Sequence, residues 1–529
     1  MQNSNMYLKQ NVLVEPLSNQ WYSWPYLISP ATVAMYITNQ HLKIMQSFIA
    51  NPELHVSALK NPAMLGGPFI NYAPSRVGEI KALYDRTLQE QNTAIKLAQA
   101  IKDLDDMLAA QAEGSSLEPL YQKVPDLLRG YVELVYDLNN KPSIRFFEGL
   151  LYKSPFYNPA LQSISLSSIK DDSRPFVFST PRLKTDDEIH LNIPFNYEAL
   201  DELFKMKWVP GSYDQVKDHL GIKDEDDELF SSFFTAEQPA PRKEFTGDGV
   251  RIRYFNHACV LIQTANVSIL TDPVMSYQYG GFNHRYTYAD LPETIDYVLI
   301  THNHQDHCMF EPLMQLRPQI KNIIVPASNG GTLADPSLRQ ILQHVGFKNV
   351  YELEALESID VGDGTITGVP FLGEHGDLDI RTKLAYLVNL KGKSVLCAAD
   401  SNNIEPRLYQ NLHEVFGDID VLFLGMECDG APLSWLYGPL MTKPIARKMD
   451  QSRRFNGSDF EKAIDIVDRF NPSHVYVYAM GQEPWLTFLT SLQYTDESRP
   501  IVESNKLIDA CRKRGIQCER LYERAEIML

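Results

Sequence analysis

Apolar and polar positions follow two rhythms along this chain. Over residues 77–112 the side chains Leu83, Leu88, Ile95, Leu97, Ile101, Leu104 and Leu108 recur about three and four residues apart. That spacing lines one face of an amphipathic helix, here read as packing against a core or a second copy of the chain. Ahead of it stands Trp21-Tyr22-Ser23-Trp24-Pro25-Tyr26, read as an aromatic packing anchor. From Asp248 the rhythm shortens. Residues 250–255 alternate, and 259–263 and 267–270 flank a Thr-Ala-Asn turn, which predicts a hairpin. Short apolar runs follow at 295–300, 322–326, 394–398, 421–425 and 474–479, with loops or helical stretches between them. This mixture predicts an α/β chain: two sheets covered by helices, an αββα sandwich, after a mixed, helix-rich N-terminal half. The stretch DEDDELFSSFFTAEQPAPRKEF at 224–245 turns from acidic to Pro/Ala-rich. It is the candidate linker, dividing the chain into domains 1–245 and 246–529.

Composition narrows the partners. A chain of 529 residues with 44% apolar content accommodates two such domains. The net charge of -18 argues against nucleic acid, whose binding depends on Lys and Arg neutralising phosphates, and against an anionic membrane surface. No segment reaches the ~20 apolar residues of a spanning helix. The first residues, MQNSNMYLKQNVLVEPL, hold no apolar run behind basic ones, so a cytoplasmic location is expected. The six cysteines are scattered and form no CxxC pair, which suggests neither a disulfide framework nor a zinc finger.

The chemistry concentrates where the apolar run 295–300 ends. Thr301 is followed by His302, His304, Asp306 and His307. In an extended loop, residues two apart point the same way, so His302 and His304 can grip one ion while Asp306 and His307 reach a second. Imidazole with carboxylate suits zinc, iron or manganese rather than calcium or magnesium. Two later strand ends add Gly373-Glu374-His375 and Asp400, the latter placed to bridge two ions. Upstream, Asp272 ends another strand and is expected to hydrogen-bond a ligand imidazole.

These residues, over 248 to about 485, resemble the metallo-β-lactamase superfamily. Most members use a histidine as third ligand of the first metal and close the last apolar strand with another. Here the strand at 474–479 runs into Met480-Gly481-Gln482, with no histidine in that place. The whole chain is similar to a narrower family, the diiron β-hydroxylases of the chloramphenicol-biosynthesis (CmlA) type. That resemblance implies an O2-dependent monooxygenase acting on an aminoacyl thioester held by a nonribosomal peptide synthetase carrier domain. It implies His302, His304 and Glu374 on one iron, Asp306 and His307 on the other, and Asp400 bridging. Glu374, Asp400 and His375 would lie nearest the reaction. Glu374 and His375 are adjacent, and the alternative of His375 as the ligand stays open. With it stays the alternative of a dinuclear zinc hydrolase. The oxygenase needs O2, an external electron donor and a separate reductase; carrier docking and a homodimer would involve the N-terminal half. Glu427 and Asp429, ending another strand, and Tyr286 and Tyr288, in the loop after Asp272, are candidates for the pocket. Lys443, Arg447, Lys448, Arg453 and Arg454 form a basic stretch expected to dock an acidic carrier domain.

Overall fold

The computed structural model describes residues 5–242, 244–280 and 284–529. Two seven-stranded sheets face each other. The first runs, across the sheet, Val350–Leu353, Ile320–Pro326, Ile295–Leu299, Ser268–Thr271, Cys259–Gln263, Arg251–Asn256 and Ala525–Met528. The second runs Ser358–Asp360, Gly364–Val369, Ala385–Leu390, Lys393–Cys397, Val421–Gly425, His474–Tyr478 and Gln517–Arg520. Each apolar run read from the sequence is a strand, with its ends moved by at most two residues. The chain's last strand was not legible; it crosses back to edge the first sheet beside Arg251–Asn256.

Burial on both faces explains those continuous apolar runs. Ile252, Val260, Ile262, Ile269, Tyr386, Val388, Phe423 and Tyr476 fill the space between the sheets. Helices Pro406–Phe416, Phe460–Phe470 and Arg499–Lys513 cover the outer face of the second sheet through Leu412, Ile466, Val467 and Leu507. Ser268–Thr271, Ile295–Leu299, Ile320–Pro326 and Val350–Leu353 are parallel. So are Lys393–Cys397, Val421–Gly425, His474–Tyr478 and Gln517–Arg520. Parallel strands put all their C-terminal ends on one rim, where open α/β folds build their sites.

The N-terminal half is mixed and covers the remaining face. Its residues share one continuous core with Leu313, Met314, Leu338 and Ile341 from the helices of the first sheet. The helical pattern at 77–112 is two helices, Val77–Glu90 and Asn92–Gln111, broken at Gln91. Helix Pro30–Tyr36 packs on the second of them, and Leu97, Ile101, Leu104 and Leu108 are buried within this chain. The expected homodimer therefore draws no support from that face. The acidic part of the candidate linker is also structured: Asp227–Ser232 is helix and Phe234–Thr235 is strand, because Phe230, Phe233 and Phe234 are buried. Among the described residues no helix is long and apolar enough to cross a membrane.

The anchor region makes a pH-dependent contribution. His41 is buried and stacks on Trp21, ring centroids 3.9 Å apart, and burial pushes its pKa down to about 3. The unfolded chain binds the proton near pH 6.5, so stability is intact above that value and falls as pH drops toward 3. The expected loss is about 2 kcal/mol by pH 5. Replacing His41 by Phe keeps the stack and removes a buried unpartnered nitrogen. Urea unfolding of His41→Phe at pH 7 and pH 5 should show a flatter pH dependence with no loss at pH 7.

Candidate metal centre

Thr301 begins the metal loop and is fixed before any ligand appears. Its N–H and hydroxyl both donate to the Asp272 carboxylate, at 2.7 and 2.6 Å. Its carbonyl accepts from the Leu384 N–H at 2.8 Å, which ties the loop to the second sheet. The N-terminal anchor holds the loop from behind. Asn303 Nδ2 donates to the Tyr26 hydroxyl at 3.1 Å, and that hydroxyl donates to Ala334 O at 2.6 Å.

Hydrogen bonds set which nitrogen each histidine offers. His307 Nδ1 donates to Asp272 Oδ2 at 2.8 Å, leaving Nε2 facing Asp400 Oδ2 at 3.0 Å. His302 Nδ1 meets Thr301 Oγ1 at 3.0 Å, and its Nε2 lies 3.7 Å from the same Asp400 oxygen. His304 is reversed: Nε2 bonds the Tyr437 hydroxyl at 2.8 Å, and Nδ1 stands 3.1 Å from Glu374 Oε1. Three sets of donor atoms each gather within 4.8 Å: His302, His304 and Glu374; His302, His307 and Asp400; His257, Asp306 and His307. Sharing of His302 and then His307 joins the sets into one array.

The array fits a cation pair. His302 Nε2, His307 Nε2 and Asp400 Oδ1 are buried with no hydrogen-bond partner. Convergent orphaned donors of this kind are what a metal satisfies. Charge points the same way. Burial, then Asp400 and Glu427, push the Glu374 carboxyl well above the usual range. Burial, then Asp400 and Asp306, do the same to Glu427. Carboxylates so crowded and buried ionise together only beside cations. Burial also drives His304 down to about 4, which keeps its imidazole neutral and available as a ligand.

The Gly373-Glu374-His375 turn distinguishes its two candidates. Glu374 takes φ +69°, and its carboxylate joins the donor array. The His375 ring packs 4.7 Å from His304, centroid to centroid, and belongs to none of the three donor sets. Sequence reasoning missed His257. Its only local signal is a histidine in the two-residue turn between Arg251–Asn256 and Cys259–Gln263, where Gly or Asn is usual.

A cavity of about 600 Å³ opens from this array. His304, Asp306, Glu374 and Asp400 form one end; Met64, Phe69, Trp435, Phe455, Leu489 and Leu492 form apolar walls. The loop 63–69 comes from the N-terminal half, a contribution not anticipated from the sequence. Glu427 and Asp429 line the cavity as expected positions would require, and Arg454 joins them, 3.5 Å from Asp429. Tyr286 and Tyr288 do not. Tyr288 is buried in the core, its hydroxyl accepting from Gln315 at 3.0 Å, and Tyr286 packs on Phe255. Their loop turns away from the rim to cover the first sheet. Of the basic stretch, Arg447 and Lys448 are exposed on the short helix Arg447–Ser452. Arg453 is spent on Gly376 O at 2.6 Å, and Lys443 reaches Asp105 and Asp106 at 3.9 and 3.8 Å.

Comparisons with known proteins agree with this architecture. Residues 7–239 match the diiron non-heme beta-hydroxylase N-terminal domain, and residues 251–433 match the beta-lactamase superfamily domain. The chain is 39% identical over 532 residues, covering 99% of both sequences, to the 4-amino-L-phenylalanyl-[CmlP-peptidyl-carrier-protein] 3-hydroxylase of Streptomyces venezuelae. The crystal structure of CmlA, a diiron beta-hydroxylase from Streptomyces venezuelae, superposes with a TM-score of 0.94 at 38% identity, covering 100% of both chains. A UPF0173 protein of Pyrococcus abyssi is 31% identical over 223 residues, 42% of this chain and 80% of its own length. The full-length identity reaches through the N-terminal domain, and with it the chain belongs to the CmlA-type family of diiron non-heme β-hydroxylases.

Proposed function

We propose that this diiron β-hydroxylase acts on an aminoacyl group carried as a thioester on a nonribosomal peptide synthetase carrier domain. The observation that carries the reading is the cavity: it leads from the donor array along apolar and aromatic walls to the Arg454 side of the rim. The name of the Streptomyces venezuelae relative, a hydroxylase of a carrier-bound amino acid, points to the same substrate class.

In this reading His302, His304 and Glu374 would hold one iron and Asp306 and His307 the other, with the Asp400 carboxylate available to both. When bound, the reduced iron pair supplies activation of dioxygen. One oxygen atom enters the β C–H bond as hydroxyl; the other leaves as water with two electrons and two protons from an external donor. The protein's part is position and dryness. Asp272 holds the His307 ring in the tautomer that presents Nε2, and Tyr437 holds the His304 ring with Nδ1 toward Glu374. Phe69, Trp435 and Phe455 wall the substrate side chain from water. Arg447 and Lys448 remain exposed for an acidic carrier domain on the helix that precedes Arg454, which lines the cavity. Electrons come from a separate reductase, and a cytoplasmic setting fits six free, buried cysteines.

The test is direct. Protein from iron-supplemented cells should hold about two irons per chain, as membership of the diiron family implies, with near-ultraviolet charge-transfer absorption. After anaerobic reduction, exposure to O2 with aminoacyl-loaded carrier domain should add one oxygen atom to the tethered amino acid, read by mass spectrometry. Hydroxylation of the free amino acid at an equal rate would remove the carrier from the reading. Two zincs and hydrolysis of the thioester would overturn the reading entirely.

A further inference from the structure

We propose that His257 is a positioning residue for this centre: it donates an Nε2–H hydrogen bond to Asp306 and is not itself a metal ligand. The inference rests on the reading that Asp306 and His307 hold one of the irons.

His257 sits in the turn between two antiparallel strands with φ +47°, a conformation that costs a side-chain-bearing residue energy and that persists where surroundings enforce it. The surroundings are the segment that follows the last parallel core strand. The His257 N–H donates to Glu483 Oε1 at 3.3 Å, and its carbonyl accepts from the Ala479 N–H at 3.0 Å. The Tyr254 hydroxyl donates to the same Glu483 oxygen at 2.5 Å and holds that clamp in place. The turn thus presses a histidine into the region where the superfamily's usual last ligand is missing from residues 480–482.

The backbone decides what this histidine can do. The Gly481 N–H points at His257 Nδ1, 3.2 Å away. A ring nitrogen that accepts a hydrogen bond carries no proton, so the neutral imidazole keeps its proton on Nε2. Nε2 is buried without a formed hydrogen bond, and Asp306 Oδ2 stands 3.4 Å away, within reach of its proton. Ligation through Nε2 would need the opposite tautomer, setting an Nδ1–H against the Gly481 N–H, donor against donor. The geometry therefore selects the hydrogen-bond donor. With Asp306 Oδ2 facing His257, Oδ1 would be the oxygen left for a metal.

Two substitutions separate the roles. In His257→Gln the amide oxygen can accept from Gly481 while the amide N–H donates to Asp306. His257→Leu offers neither group. Iron per chain, the rate of iron release to a chelator, the near-ultraviolet band and the melting temperature of the iron-free protein are measured for both. His257→Gln should keep the parent's iron content and release rate. His257→Leu should load the same iron but release it about 10–100-fold faster, with a shifted band and an unchanged iron-free melting temperature. Loss of one iron per chain in His257→Gln would make His257 a ligand and overturn the proposal, even if His257→Leu fails to fold. Parental release rates and spectra in both variants would reduce His257 to a turn residue. A parent protein that takes up no iron would instead overturn the assignment of the centre itself.

Discussion

Asp400→Asn is expected to strip the centre of iron and to lower hydroxylation on the order of 1000-fold or more, because partners that merely touch a ligand already cost about 10–100-fold. Asp400 Oδ2 faces both His302 and His307, while Oδ1 is buried and unpartnered. The amide of Asn keeps the shape and removes the charge. Its effect on the fold should be the opposite of its effect on function. Without metal, Asp400 is crowded by Glu374 and Glu427, whose carboxyls it pushes upward together with burial. Removing that charge relieves repulsion, so iron-free Asp400→Asn should melt at or above the parent temperature, and the rise in melting temperature on adding iron should vanish. Metal analysis, melting curves with and without iron, and single-turnover product formation check the three parts. A variant that collapses without metal would mean the site is structural. One that keeps parental iron and activity would remove Asp400 from the bridge.

The second large effect lies behind the metal loop. Arg174, 6% exposed, joins Glu15 of the N-terminal half at 2.5 Å to Glu311 of the helix Phe310–Leu316 at 2.6 Å, with its guanidinium 3.6 Å above the Phe488 ring. Arg182 adds a second ion pair to Glu15 at 2.8 Å. Burial alone would raise Glu15, but Arg182 and Arg174 outweigh it and hold the carboxyl at about 2. Arg174→Met keeps much of the stem and removes the charge, leaving Glu311 buried with only the Tyr22 hydroxyl at 2.9 Å on its carboxylate. Breaking a buried pair from one side costs about 3–5 kcal/mol. Urea unfolding should show that loss near neutral pH. Adding Glu311→Gln should recover part of it, since the stranded charge is then gone. A change below about 1 kcal/mol, the scale of a solvent-exposed pair, would mean the network is hydrated.

Several parts of this protein were fixed by local sequence. The parallel strands are legible because burial on both faces demands unbroken apolar runs, and 421–425 reads directly as Val421–Gly425. The ligand loop is legible because His302, His304, Asp306 and His307 crowd into six positions after such a run, and Asp400 because it closes another. Other features depend on which surfaces meet. Tyr286 and Tyr288 follow a strand end in sequence, yet their loop folds over the sheet away from the rim. Glu374 and His375 are adjacent and equally plausible as ligands on chemistry; in the fold both are buried, but only the Glu374 carboxylate joins the donor array, while the His375 ring packs on His304. His257 meets Asp306 only because the first hairpin is clamped to the segment after the last core strand. The loop 63–69 walls the cavity only because the N-terminal half shares its core with the first sheet's helices. Periodicity and ligand density are set by neighbours along the chain, so the sequence alone determines them. Which histidine nitrogen is free, which carboxylate faces inward and what walls the cavity are set by contacts between distant segments, and those only the tertiary structure decides.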